Sequence, residues 1–117
     1  MTVSASYRAY VLEQLQMLGA VTAKPMFGGI GLYTGGVFFA LIDDDSLYFK
    51  VDETTRAEFE GVGSRPFRPY GEDSYSMQYY EVPADVLESP VLLTHWAGKA
   101  VAVARKATAK RKRPRSR

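Results

Sequence analysis

The sequence predicts a two-layer α+β domain in which an antiparallel sheet of about five strands packs against N- and C-terminal helices. A helical pattern opens the chain, another one closes it, and the strand patterns lie between them. Short turns join these strand patterns, which is typical of antiparallel sheets, because parallel strands need longer crossover connections. A chain of 117 residues suits one domain with a single hydrophobic core.

The first predicted helix covers residues 4–18. Ser4 or Ser6 is expected to cap its N-terminus, and Gly19 stands where a C-terminal glycine belongs. The residues that repeat at the 3.6-residue spacing of a buried helix face are Tyr7, Val11, Leu15 and Leu18.

Five strand patterns follow, with turn residues between them. They cover 21–27, 30–34, 37–42, 47–51 and 74–82. Gly35-Gly36 predicts a type I′ hairpin, because both central residues of that turn need positive φ. The acidic stretch 43–46 predicts a second polar turn. Pro25 has no N–H to donate, so the first strand is expected at a sheet edge.

The glycines of this region do not fit a phosphate-binding loop. The Walker pattern needs a lysine directly after its last glycine, yet no lysine follows these glycines before Lys50. The dinucleotide pattern opens a helix, whereas Gly29-Ile-Gly31 continues into strand residues. Gly28-Gly29 is therefore interpreted as a turn or bulge, and no cofactor is expected.

Three further segments complete the predicted order of elements. A short helix is expected over 53–60, opened by Asp52 or Thr54, and 62–73 is expected to be mostly loop. Pro83 begins a helical turn, and Ser89-Pro90 caps the last helix. The face of that helix expected to pack on the sheet consists of Leu92, Trp96, Ala100 and Val103.

Charge divides the chain into two parts. Before position 105 there are seven Lys and Arg against 13 Asp and Glu, a net charge of −6, whereas 105–117 carries eight cations and no acid. The predicted organisation is an α+β domain over 1–106 and a disordered basic tail over 107–117. The nucleic-acid site predicted from this pattern consists of Arg105, Lys106, Lys110, Arg111, Lys112, Arg113, Arg115 and Arg117.

Three interpretations of this tail stay open. It attracts DNA or RNA phosphates without regard to sequence, or it only keeps the protein in solution or docks on the acidic body. The third interpretation is that the tail binds an anionic membrane. No apolar helix face accompanies the charges, which weakens this interpretation, so we expect no membrane partner. The absence of cysteine, of a secretory signal and of an 18-residue apolar run favours a cytoplasmic location.

The other candidate sites are weak. Asp43-Asp44-Asp45 lacks the alternate spacing of a calcium loop and is interpreted as a turn. His95 is the only histidine in a chain without cysteine, so we interpret it as a partly exposed structural residue and expect no metal.

An aromatic cluster with neighbouring arginines is more informative. It consists of Phe67, Tyr70, Tyr75, Tyr79 and Tyr80, with Arg65 and Arg68. Such residues on a sheet can stack single-stranded bases. The body is acidic, however, and alternate tyrosines of a strand point into the core. We therefore favour core residues together with a partner-binding surface.

Several motifs occur together within residues 7–107. They include a Met-Phe-Gly-Gly block, a Leu-Tyr-Phe-Lys-Val strand, Met-Gln-Tyr-Tyr-Glu-Val-Pro, and Trp-Ala in the last helix. The motif residues are Met26, Phe27, Gly28, Gly29, Gly31, Phe49, Lys50, Tyr79, Tyr80, Pro83 and Trp96. This combination resembles the N-terminal domain of the TfoX/Sxy family, bacterial proteins linked to natural competence. A basic tail stands here where the two-domain regulators continue into a second helical domain, so we expect a stand-alone member.

The resemblance implies an antiparallel α+β domain that regulates through macromolecular contacts, with no catalytic residues to carry across. The first functional hypothesis is therefore a non-enzymatic regulatory domain, linked to transcription or competence, whose basic tail binds nucleic acid weakly. The alternative is a protein-interaction module or homodimer with an unidentified protein partner and a merely solubilising tail. An unrecognised enzyme with a cleft around the 61–73 loop is the third hypothesis.

Overall fold

A computed structural model describes residues 3–26, 28–67 and 76–112. Its elements are α1 (Ala5–Gln14), β1 (Thr22–Met26), β2 (Gly29–Thr34), β3 (Val37–Asp43), β4 (Ser46–Lys50), α2 (Arg56–Gly61), β5 (Pro66–Phe67), β6 (Ser76–Glu81), α3 (Ala84–Leu87) and α4 (Pro90–Lys112). A 3₁₀ turn over Gln16–Leu18 follows α1. None of the helices in these ranges is long and apolar enough to cross a membrane.

The strands form one antiparallel sheet in the order β1-β2-β3-β4-β6-β5. The predicted α+β class is confirmed, with six described strands where about five were expected. The additional strand is β5, which has only two residues and pairs with β6. Pro25 lies in β1, which is an edge strand, as its missing N–H predicts.

Two tight turns set the register of the central hairpins. Gly35 and Gly36 have φ of 57° and 81°, and Thr34 pairs with Val37 across them. Both glycines therefore have the positive φ that the type I′ prediction requires. The acidic turn works in the same way, since Asp44 and Asp45 both have φ of 53°.

Side chains close the helix ends that the sequence marks. The Ser4 hydroxyl accepts a hydrogen bond from the Tyr7 N–H at 3.2 Å, and it donates to the Asp45 carboxylate at 3.1 Å. The backbone N–H of Ser4 also donates to Asp45, at 2.8 Å, so the start of α1 is attached to the β3–β4 turn. The Ser89 hydroxyl accepts from the Leu92 N–H at 3.2 Å at the start of α4. The caps predicted at Ser4 and Ser89 are confirmed, whereas α2 begins after Thr55 and not after Asp52 or Thr54.

The hydrophobic core lies between the sheet and a helical layer that includes α1 and α4. Its fully buried large side chains are Val11, Leu15, Leu32, Phe39, Ile42, Leu47, Phe49 and Leu93. The predicted face of α4 was partly wrong, because Leu92 is exposed while Leu93, Ala97 and Ala104 are buried. Apolar residues occupy both faces of this helix, so its periodicity alone did not fix the rotation.

Helix α4 does not end at the predicted boundary between domain and tail. Among the side chains of α4 that are described, up to Ala109, the last buried one is that of Ala104, and the helix continues to Lys112. Residues 105–112 therefore add about 12 Å of helix at 1.5 Å per residue. The disorder expected for 107–117 stays a prediction, and residues 113–117 lie outside the described part of the chain.

Candidate nucleic-acid interface

The basic end of α4 lies beside the β2–β3 hairpin and the end of β4. The side chains of Arg105 and Lys106 are exposed. One guanidinium nitrogen of Arg105 would lie 3.0 Å from a Cβ placed on Gly35, so Arg105 covers the hairpin turn. Lys110, Arg111 and Lys112 follow on the last turns of the helix. Arg113, Arg115 and Arg117 lie outside the described residues.

A groove of about 510 Å³ lies between the end of β4, the start of α2 and the last turns of α4. Its lining includes the cationic residues Lys50, Arg56 and Lys106, the carboxylates of Asp52 and Glu53, and the amide of Gln78. A groove with these cations on its walls can bind an anionic group such as a phosphate. The enzyme hypothesis placed a cleft elsewhere, around 61–73, of which 68–73 lie outside the described residues.

Asp52 organises one wall of this groove. Its Oδ1 atom accepts hydrogen bonds from the Thr54 hydroxyl at 2.6 Å, the Thr54 N–H at 2.9 Å and the Thr55 N–H at 3.2 Å. These bonds, with the Thr54 hydroxyl foremost, lower the pKa of Asp52, because they stabilise the carboxylate. Its Oδ2 atom lies 3.7 Å from Lys106 Nζ. Asp52 thus fixes the turn that precedes α2 and also contacts one cation of α4.

The aromatic cluster predicted near β6 divides between the two faces of the sheet. Tyr80 is buried in the core and donates a hydrogen bond to Glu60 Oε2 at 2.8 Å. Tyr79 is half-buried and lies on the opposite face, as strand alternation requires. Arg65 pairs with Glu81 at 3.2 Å and is largely exposed. Arg68, Tyr70 and Tyr75 lie outside the described residues, so their part of the predicted cluster is not located.

The Met-Phe-Gly-Gly block builds the connection between β1 and β2. Gly28 has φ of 81°, which favours glycine, and Phe27 lies outside the described residues. A Cβ on Gly29 would collide with the backbone carbonyl oxygen of Ile42 on the adjacent β3. Gly29 is therefore required by the close approach of two strands. Gly28 lies in a turn, as interpreted from the sequence, whereas Gly29 is the first residue of β2.

Comparison with protein families gives one match. The model of the TfoX N-terminal domain matches residues 13–104. This chain belongs to the TfoX N-terminal domain family. That family is one of regulatory domains of the competence type and is not a known enzyme family. No curated protein matches the chain significantly.

The remaining TfoX motif residues are mainly structural. Phe49 is fully buried, and Pro83 stands at the N-terminus of α3. Trp96 packs edge-on against Phe59, with ring centroids 4.9 Å apart and planes at 81°. Lys50 differs, because its Nζ atom lies 5.0 Å from the ring centroid of Tyr79 and its side chain also lines the groove. Most of the motif residues therefore stabilise the fold, and Lys50 adds one cation to the groove.

The two weak candidates of the sequence contribute no site. His95 is exposed on α4, and Asp43, Asp44 and Asp45 form the β3–β4 turn. Across the residues described, no three His, Cys, Asp or Glu side chains come together as metal ligands. Sequence reasoning missed Arg56 and Lys50 as neighbours of Lys106, since they are far from it along the chain and only the packing of α4 brings them together.

Proposed function

We propose that this TfoX N-terminal domain is a non-enzymatic regulatory domain in the cytoplasm that acts through macromolecular contacts. The cationic end of α4 gives it weak, sequence-independent affinity for nucleic acid. The observation that carries this proposal is that one continuous helix includes five cationic residues after the buried Ala104. They are Arg105, Lys106, Lys110, Arg111 and Lys112.

The contact of this end with the acidic body does not prevent binding. Lys106 and Asp52 are 3.7 Å apart, and 70% of the Lys106 side chain remains exposed. Pairs of this kind contribute about 0–1 kcal/mol, so a phosphate displaces the carboxylate at little cost. Binding by such an arm is expected with a Kd on the order of 10⁻⁴ to 10⁻⁶ M at physiological salt.

The salt dependence of binding tests this proposal. A variant with all eight cations of 105–117 changed to Gln keeps the length of the chain and a similar helix propensity. We expect the unmodified chain to bind a duplex oligonucleotide with steep salt dependence, and the variant to lose most of that binding. Each phosphate contact contributes about −0.9 to the slope of log K against log salt concentration.

A matched pair of double variants separates position from net charge. Arg111→Gln/Lys112→Gln removes two cations from the helix end, and Arg8→Gln/Lys99→Gln removes two from the body. The first is expected to reduce the slope by up to about 1.8, and the second to leave it unchanged. Equal slopes for the two variants, or no binding by the unmodified chain, would refute the proposal.

A protein-interaction role is the second candidate, supported by apolar residues exposed on the helical layer. Val91 and Leu92 are exposed at the start of α4, and Val62 is exposed just after α2. Sedimentation of the unmodified chain and of a Val91→Ser/Leu92→Ser variant tests this role. An oligomer that the substitutions dissociate, together with absent oligonucleotide binding, would favour this candidate over the first.

A further inference from the structure

Three aromatic rings form a row on the sheet face that points away from α4. Tyr33, Phe38 and Tyr79 come from β2, β3 and β6, and each ring is half-buried. Their neighbours along these strands, such as Leu32 and Phe39, are buried in the core. Because successive strand residues point to opposite faces, the three rings lie on the face that the helical layer does not cover.

The rings contact one another in series, and a lysine stands at each end. The ring centroids of Tyr33 and Phe38 are 5.2 Å apart with planes at 28°, and those of Phe38 and Tyr79 are 5.7 Å apart at 39°. Lys24 Nζ lies 5.0 Å from the Tyr33 centroid, and Lys50 Nζ lies 5.0 Å from the Tyr79 centroid. We call this series, from Lys24 to Lys50, the aromatic row.

The sheet register builds the aromatic row. The Gly35-Gly36 turn places Tyr33 opposite Phe38, and the pairing of β4 with β6 places Lys50 opposite Tyr79. Gly31 leaves space for the middle ring, since a Cβ there would lie 3.1 Å from Phe38 Cε1. The motif glycine thus permits a continuous row on this face.

The row has a lysine at each end, and further cations of α4 lie near it. Lys50 belongs both to the row and to the groove that Lys106 lines, and Arg105 covers the hairpin turn next to Tyr33 and Phe38. Glu81 follows Tyr79 on the same face, but its carboxylate is paired with Arg65. The local charge therefore favours a polyanion, although the body as a whole is acidic.

We propose that the aromatic row binds single-stranded nucleic acid, with bases stacking on its outer rings and the two lysines moving to the flanking phosphates. Stacking of a base on an aromatic side chain is stronger than the contact of a lysine with the same ring. A base therefore displaces the lysine from the ring face. A duplex cannot bind in this way, because its bases remain stacked on one another.

This inference goes beyond the proposed function, because the basic end of α4 attracts single strands and duplexes alike. The aromatic row adds a preference for single strands that resides in the folded body. The two proposals therefore predict different losses. Removal of rings abolishes the preference, and removal of the helix-end cations lowers affinity for both forms of nucleic acid.

The test compares a fluorescently labelled 15-nucleotide oligothymidylate with a duplex of the same length, using fluorescence anisotropy. We expect Tyr33→Leu and Tyr79→Leu each to weaken binding of the single strand by about 5- to 100-fold, the range of one lost stack. Duplex binding should stay unchanged, and Tyr79→Phe should retain the single-strand preference. Tyr10→Leu is the matched control, because Tyr10 is exposed on α1 away from the row.

Exposed positions keep the test valid if a ring variant fails to fold by circular dichroism. Lys24→Gln alters an exposed end of the row and should reduce the salt slope for the single strand by about 0.7. Equal binding of single strand and duplex by the unmodified chain would overturn the inference. So would single-strand binding that Tyr33→Leu, Tyr79→Leu and Lys24→Gln all leave unchanged in folded protein.

The variant without helix-end cations separates the two proposals. If it loses affinity for both oligonucleotides while the ring variants bind normally, the proposed function stands and the aromatic row is refuted. If it binds like the unmodified chain while the ring variants lose the single strand, the row is supported and the role of the helix end is refuted. Self-association through this sheet face, with no oligonucleotide binding, would also refute the row.

Discussion

The position of Leu93 gives the most decisive test of how α4 packs. Leu93 is fully buried, whereas its neighbour Leu92 is 46% exposed. Leu93→Ala removes three buried carbons, a transfer loss of about 2.4 kcal/mol at 0.8 kcal/mol per carbon. The cavity left behind raises the expected loss to about 3–4 kcal/mol. Leu92→Ala removes carbons that are only half-buried and leaves no closed cavity, so about 1 kcal/mol is expected.

Urea denaturation followed by far-ultraviolet circular dichroism measures the free energy of unfolding of both variants, whose m-values should equal that of the unmodified chain. In thermal unfolding, a chain of this length loses about 4 °C of Tm for each kcal/mol of stability. The Tm of Leu93→Ala should therefore be lower by about 12–16 °C. The Tm of Leu92→Ala should be lower by no more than about 4 °C. If Leu92→Ala costs as much as Leu93→Ala, the helix is rotated relative to this structure and the core described above is incorrect.

Two further predictions concern the motif glycines and the groove. Gly29→Ala should lower the free energy of unfolding by at least about 1–3 kcal/mol in urea denaturation, because its Cβ would meet the Ile42 backbone. Gly61→Ala at the end of α2, where a Cβ meets nothing, should be neutral or stabilising, and equal costs at the two sites would contradict this reasoning. The Asp52 pKa is lowered in the folded state, so its stabilising contribution is present above the unfolded pKa of about 3.9 and disappears as pH falls through the folded pKa. The unmodified chain should therefore exceed Asp52→Asn in stability at pH 7, and urea titrations should show this difference shrinking below about pH 4; a difference independent of pH would show that the carboxylate's charge has no part in it.

Local chemistry made the hairpins predictable from the sequence. Two adjacent glycines need no tertiary contact to favour a type I′ turn, and Pro25 excludes a central strand whatever packs against it. The short strand β5 is different. Pro66 disfavours a strand, and a two-residue segment has no alternation to read; its strand conformation comes from pairing with β6.

The end of α4 shows the limit of charge arguments. The cationic composition predicted a tail from 107 onward, yet alanine and lysine are strong helix formers and a helix already started at Pro90 extends through them. The sequence shows directly that the cationic residues lie at the C-terminal end. It did not show that the helical backbone would continue through 108–112.

The candidate surfaces were predictable only in part. The opposition of Tyr33 and Phe38 follows from a two-residue turn at Gly35-Gly36, so counting outward from that turn would have found it. The place of Tyr79 next to Phe38 depends on β6 returning to β4 after the excursion through α2 and β5. That pairing is a property of the whole fold, and the clustering of tyrosines along the sequence did not indicate Phe38 as a neighbour of Tyr79.

The two edges of the sheet have a consequence for how copies of this protein behave together. On one side β1 carries Lys24 and Pro25, and on the other β5 has two residues within the described part of the chain. An edge strand that carries a charge, lacks an N–H or is very short is a poor template for pairing with the strand of another molecule. The edges that the structure describes therefore disfavour the joining of two copies into one continuous sheet.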